Sequence, residues 1–134
     1  MPASEAFLDT NVLLYLLSAE TDKADRAEKL IAKGGVVSVQ VLNEFVAVAM
    51  RKAGLTIAES REVLRAVRAS CRVAALEAAT HDRALDIAAE TRVHVYDATI
   101  IAAAQECGCK VLHSEDMQHG QKFGAVRINN PFRS

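Results

Sequence analysis

With 134 residues, 51% of them hydrophobic and 25% charged, the chain is long enough to bury the core of one domain and too apolar to be disordered. A formal net charge of −1 gives no sign of a surface built to coat nucleic acid, and no apolar run reaches the length of a membrane span. The start, Met1-Pro2-Ala3-Ser4-Glu5, lacks a basic and then apolar leader. Cys71, Cys107 and Cys109 are an odd set without CxxC spacing, so reduced thiols in a cytoplasmic protein are expected.

Ala6-Phe7-Leu8 reads as a short strand ending at Asp9, and the apolar run from Asn11 to Leu17 as a turn into a helix. Thr21 or Asp22 is expected to cap a helix reaching about Lys33, stopped by Gly34-Gly35. Val36-Val37 is a second strand, and Ser38 caps a helix running to Ala53 before Gly54. Thr56 and Glu59 form a capping box for a helix to about Cys71. Arg72–Ala75 reads as a third strand, Thr80–Thr91 and the Ala-rich Tyr96–Glu106 as two more helices. Lys110–Ser114 and Ala125–Ile128 are the remaining strands. Strands alternating with helices predict an α/β fold, a short and mainly parallel central sheet flanked by helices, with residues 1–134 as a single domain.

Ligands of such sheets gather beyond the carboxyl ends of the strands, and four acidic residues map there. Asp9 follows the first strand, Glu44 lies in the helix after the second, Asp97 stands at the mouth of the Ala-rich helix, and Asp116 closes the turn after the strand that ends at Ser114. Taken singly, Asp9 and Asp97 read as helix caps, Glu44 as a solvated boundary residue and Asp116 as a turn residue. Together, carboxylates converging without Lys or Arg beside them repel one another and call for a cation. Hard oxygen donors with few imidazoles favour Mg²⁺ or Mn²⁺ over zinc. Such a centre can activate water and stabilise charge on a phosphodiester.

The segments Phe7-Leu8-Asp9-Thr10-Asn11-Val12-Leu13, Ser38 to Phe45, Tyr96-Asp97-Ala98 and Leu112-His113-Ser114-Glu115-Asp116 resemble, in order, the sequence blocks of PIN-domain proteins. The resemblance covers essentially the whole chain, whose length is that of a VapC-type toxin. It implies a PIN-like fold and a metal-dependent endoribonuclease, with Asp9, Glu44, Asp97 and Asp116 catalytic and Asp9, Asp97 and Asp116 holding Mg²⁺, or Mn²⁺ in its place. Asn11 and Ser114 match supporting polar positions. Further implications are products with 5′-phosphate and 3′-hydroxyl ends, a small VapB-like antitoxin that covers the acidic groove, and a homodimer. The fourth block departs from the commoner Thr-x-Asp pattern followed by an aromatic; register favours Asp116 over Glu115 as the inward residue.

Residues 51–72 hold six basic groups against two acidic ones. Arg61, Arg65, Arg68 and Arg72, spaced by four, three and four, form a stripe on one helix face. It reads either as a solvated face or as a strip that contacts substrate phosphate or a partner. His113 and His119 read as exposed residues near a turn, and Asn129-Asn130-Pro131-Phe132 as a terminal turn with an aromatic anchor.

Two other classes compete with the nuclease. A PIN-like module that binds RNA or protein without catalysis would have no need of all four acids. A phosphotransfer protein would want a second Asp where Asn11 stands, or an acidic pair just before the first helix, and has neither.

Overall fold

The computed structural model describes residues 5–133, so the reading of the start falls largely outside the described residues. Six strands form one sheet in the order β3-β2-β1-β4-β6-β5. They are β1 Phe7–Leu8, β2 Gly35–Ser38, β3 Cys71–Ala74, β4 Val111–His113, β5 Lys122–Phe123 and β6 Val126–Asn129. All neighbours pair in parallel except β5 with β6, as expected of a mainly parallel sheet. Strand β5 of the β5–β6 hairpin escapes sequence reading because Lys122-Phe123 offers neither an apolar run nor an alternation to detect.

The helices are α1 Thr10–Leu14, followed by a single 3-10 turn Tyr15–Leu17, then α2 Thr21–Ala32, α3 Val39–Ala53, α4 Ile57–Ser70, α5 Ala78–Thr91 and α6 Val95–Glu106. Several ends follow from caps named above. Ser38 Oγ accepts from the Val41 amide, Thr56 and Glu59 close a capping box, and Gly54 ends α3 with φ 68°. Other ends differ. Thr21 is the first residue of α2 rather than its cap, and Glu20 precedes it without a side-chain cap. Helix α5 begins at Ala78, not Thr80. Thr80 is buried, and its hydroxyl donates to Glu106 at 2.6 Å, tying α5 to the end of α6. Strand β3 begins one residue early, at Cys71, because pairing with β2 from Gly35 to Ser38 sets its register.

The chain steps outward from β1 to β2 to β3 and then returns to β4 beside β1. With right-handed crossovers this places α5 and α6 on the opposite face from α2 and α4. Helix α6 is the central support: Ala98 to Ala104 are all buried, and small side chains let it lie close to both the sheet and α5. Tight approach also governs Gly35, where a Cβ would stand 2.7 Å from the Ala6 carbonyl oxygen. The central strands are fully buried at Phe7, Leu8, Val36, Val37 and Leu112, as parallel sheets covered on both faces require. Among the described residues, no helix is long and apolar enough to cross a membrane. All three cysteines are unpaired, with Cys71 and Cys109 buried.

Candidate metal centre

Strand β1 is hydrogen-bonded to β4, with Leu8 opposite His113. The residues just beyond, Asp9 and Ser114, therefore emerge side by side at the carboxyl edge of the sheet. Asp9 is 4% exposed. One carboxylate oxygen accepts from the Thr10 amide at 2.7 Å, and the other accepts from the Ser114 hydroxyl at 2.8 Å and from the Asn11 side-chain amide at 3.4 Å. Burial pushes its pKa up to about 6, with Asp97 and Asp116 adding to the rise and the Ser114 and Thr10 hydrogen bonds opposing it. Asp9 does cap α1, so its structural and electrostatic roles coincide.

Ser114 is fully buried, and its oxygen also accepts from the amides of Asp116 and Met117 at 3.2 and 3.4 Å. Asn11 is the second connector. Its Oδ1 accepts from the Glu115 amide at 3.1 Å, which sets the amide plane and turns Nδ2 toward Asp116 Oδ2 at 3.2 Å. Asp116 is thus the residue that faces the group. Glu115 is turned away from it, accepting from the Tyr15 hydroxyl, with Lys23 Nζ 3.9 Å away. Tyr15 in turn packs against Phe132 with tilted rings 4.3 Å apart, the aromatic anchor expected at the end of the chain.

Glu44 is neither free nor simply solvated. Thr10 Oγ1 donates to one of its oxygens at 3.0 Å and Gln40 Nε2 to the other at 2.8 Å, while Gln40 also reaches the Tyr96 carbonyl oxygen at 3.1 Å. Sequence reasoning passed over Thr10 and Gln40. The i, i+4 spacing of Gln40 and Glu44 was the available signal.

Asp97 is half-buried in the first turn of α6, and it is not the cap. That place belongs to His94, whose Nδ1 accepts from the Tyr96 amide at 3.2 Å. Burial raises the Asp97 pKa most, the nearby Asp116 and Glu44 raise it further, and His94 works the other way. Every one of the four acids is therefore within electrostatic reach of at least one other. Among the described residues none of them forms an ion pair with Lys or Arg.

Other candidates lie elsewhere. Arg61, Arg65 and Arg68 are exposed on α4 and, with Leu42, Val46 and Leu64, line a groove between α3 and α4. Leu42 and Val46 stand about 160° around α3 from Glu44 at 100° per residue, so this groove faces away from the acids. Arg72 leaves the stripe: α4 ends at Ser70, and Arg72 on β3 pairs with Glu5 at 3.1 Å. His113 is half-buried beside Asn129 at 3.0 Å, not exposed, and burial lowers its pKa. His119 is exposed and accepts from the Asn130 amide.

The PIN domain family model matches residues 6–122. The chain belongs to the PIN-domain family. Among solved structures, this PIN domain is similar to a toxin–antitoxin complex from Klebsiella pneumoniae, with 19% identity, a TM-score of 0.71, and 96% of this chain and 99% of that one covered. It is also similar to VapBC2 from Rickettsia felis bound to a DNA fragment from their promoter, with 14% identity, a TM-score of 0.69, and 93% and 97% covered. Mycobacterium tuberculosis VapC20, a Sarcin-Ricin loop cleaving toxin, has 21% identity and a TM-score of 0.64 over 83% of this chain and 89% of its own. At these identities the likeness is one of fold. A search of curated proteins finds no match.

Proposed function

We propose that this PIN domain is a Mg²⁺-dependent endoribonuclease and the toxin of a toxin–antitoxin pair. The observation that carries the reading is the gathering of Asp9, Glu44, Asp97 and Asp116 at one sheet edge, with Asp9 buried and, among the described residues, no cationic side chain paired to any of them. Unpaired carboxylates held together repel one another, which a bound divalent cation relieves. The donor set is all oxygen, as Mg²⁺ and Mn²⁺ prefer.

Among the described residues, no three such groups already stand close enough to form a finished metal shell. Closing the shell needs a nearer approach of Asp97 and Asp116 to Asp9, which is fixed by three hydrogen bonds. When bound, the cation supplies positive charge to a phosphodiester and eases deprotonation of water. The chain's own residues do the remaining work. Ser114 and Asn11 hold Asp9 and Asp116 in register. Glu44, oriented by Thr10 and Gln40, accepts the proton of the attacking water. The products are a 5′-phosphate and a 3′-hydroxyl, with no role for the ribose 2′-hydroxyl as nucleophile.

The partners that go with this reading are RNA, a VapB-like antitoxin and a second copy of the chain, in the cytoplasm. The arginines of α4, on the far side of α3 from Glu44, are assigned to partner contact. The test is cleavage of labelled RNA by the purified chain with Mg²⁺, with Mn²⁺ and with EDTA. Cutting is expected only with a metal. Undiminished cutting in EDTA overturns the metal reading, and RNA bound but intact in Mg²⁺ identifies an inactive binding module.

A further inference from the structure

A groove of about 450 Å³ opens from the acidic centre and runs between α1 with its 3-10 turn on one side and the second half of α3 on the other. Asn11 and Asp116 form its inner end, Leu14, Leu17 and Val48 line its walls, and Lys52 stands at its outer part. On α3, Glu44, Val48 and Lys52 recur every fourth residue. They form a single row that rises about 6 Å per step and drifts about 40° around the helix. One face of α3 thus changes from carboxylate to aliphatic to ammonium with distance from the site. Lys52 is exposed and, among the described residues, has no acidic partner.

We infer that this groove seats the nucleotide next to the scissile phosphate, with its base between Leu14, Leu17 and Val48 and the following phosphate on Lys52. The inference rests on the nuclease reading and adds to that site a seat for the neighbouring nucleotide. A polyanion approaching four carboxylates needs a compensating cation farther along its path, and Lys52 supplies one. The aliphatic walls suit the flat faces of a base and offer little to its hydrogen-bonding edge. Of the two hydroxyls there, that of Tyr15 already donates to Glu115, and Ser18 Oγ already accepts from the Glu20 amide at 3.0 Å.

The experiment measures binding by fluorescence anisotropy, using a labelled uridine 12-mer and its fully abasic counterpart with Ca²⁺ in place of Mg²⁺. Cleavage of the uridine 12-mer in Mg²⁺ is followed separately. Lys52→Ala should bind several-fold more weakly and lower the slope of log K against log salt by about 0.7 for the lost phosphate contact on a single strand. Lys52→Arg should restore that slope. Wild type should prefer the uridine strand to the abasic one, and Val48→Glu should erase the preference. An unchanged slope in Lys52→Ala together with an unchanged preference in Val48→Glu overturns the subsite, even if RNA is cut. If both effects appear but no RNA is cut in Mg²⁺, the subsite stands and the hydrolase reading falls. Absence of any RNA binding by wild type removes both.

Discussion

Asn11 and Asp116, 105 positions apart in the chain, meet through Asn11 Nδ2 and Asp116 Oδ2 at 3.2 Å. The other end of the same amide takes the Glu115 N–H, so one side chain both fixes the loop and aims its carboxylate. Asn11→Ala should leave the fold intact, since Asn11 lies outside the buried core. Loss of such a supporting group costs about 10- to 100-fold in metal affinity or activity. The check is the Mg²⁺ dependence of both RNA cleavage and melting temperature. An unaltered midpoint in both would show that Asp116 needs no such guide.

Asp97 gives a sharper test, because a ligand and a merely structural acid respond with opposite signs. Burial raises its pKa most and repulsion from Asp116 and Glu44 adds to the rise; after screening by solvent, relief of that repulsion is worth on the order of 1 kcal/mol. The favourable place of an acid in the first turn of a helix offsets only part of this. Asp97→Asn should therefore raise the melting temperature in EDTA by about 2–3 °C. Mg²⁺ should stabilise wild type more than the variant. A lower melting temperature for the variant in EDTA, and no Mg²⁺ response in wild type, would remove a shared site.

A pH dependence follows from Asp9. Its pKa of about 6 in the folded chain lies above the ordinary carboxyl value of 3.8, so the folded state holds a proton that the unfolded state has released. The stabilisation is complete below the lower value and is lost as pH rises through about 6. The loss is at most about 3 kcal/mol. Melting curves in EDTA at pH 4.5, 5.5 and 7 should show this decline. With saturating Mg²⁺ the slope should reverse, because metal binding requires the carboxylate ionised.

The arginines of α4 separate substrate from partner. If Arg65 and Arg68 face a protein partner, replacing both with Ala should leave the salt dependence of RNA binding unchanged. A fall of about 0.7 in slope per arginine would place them on a single-stranded RNA instead.

The strand–helix alternation, most caps and the four acids were legible in the sequence because each carries a local signal: an apolar run, a Ser or Thr before a helix, an Asp after a strand. What was not legible depends on distant neighbours. His94 displaces Asp97 as the cap of α6 by adopting a non-helical backbone one residue before the helix. Arg72 reads as part of a helical stripe until pairing with β2 draws its segment into a strand. The choice between Glu115 and Asp116 is set by Tyr15 and Lys23, roughly a hundred residues earlier, and nothing adjacent to them announces it.

Because β4 is inserted between β1 and β6, the acidic centre is absent from a growing chain until synthesis is well advanced. Asp9 is made early, yet the serine that orients it and the carboxylate opposite it arrive only with residues 114 and 116. A nascent chain released before that point would carry Asp9, Glu44 and even Asp97 without the contacts that bring them into register. The order of translation thus separates the making of Asp9 from the making of the groups that orient it, so the four acids come into register only once β4 and the turn after it are in place.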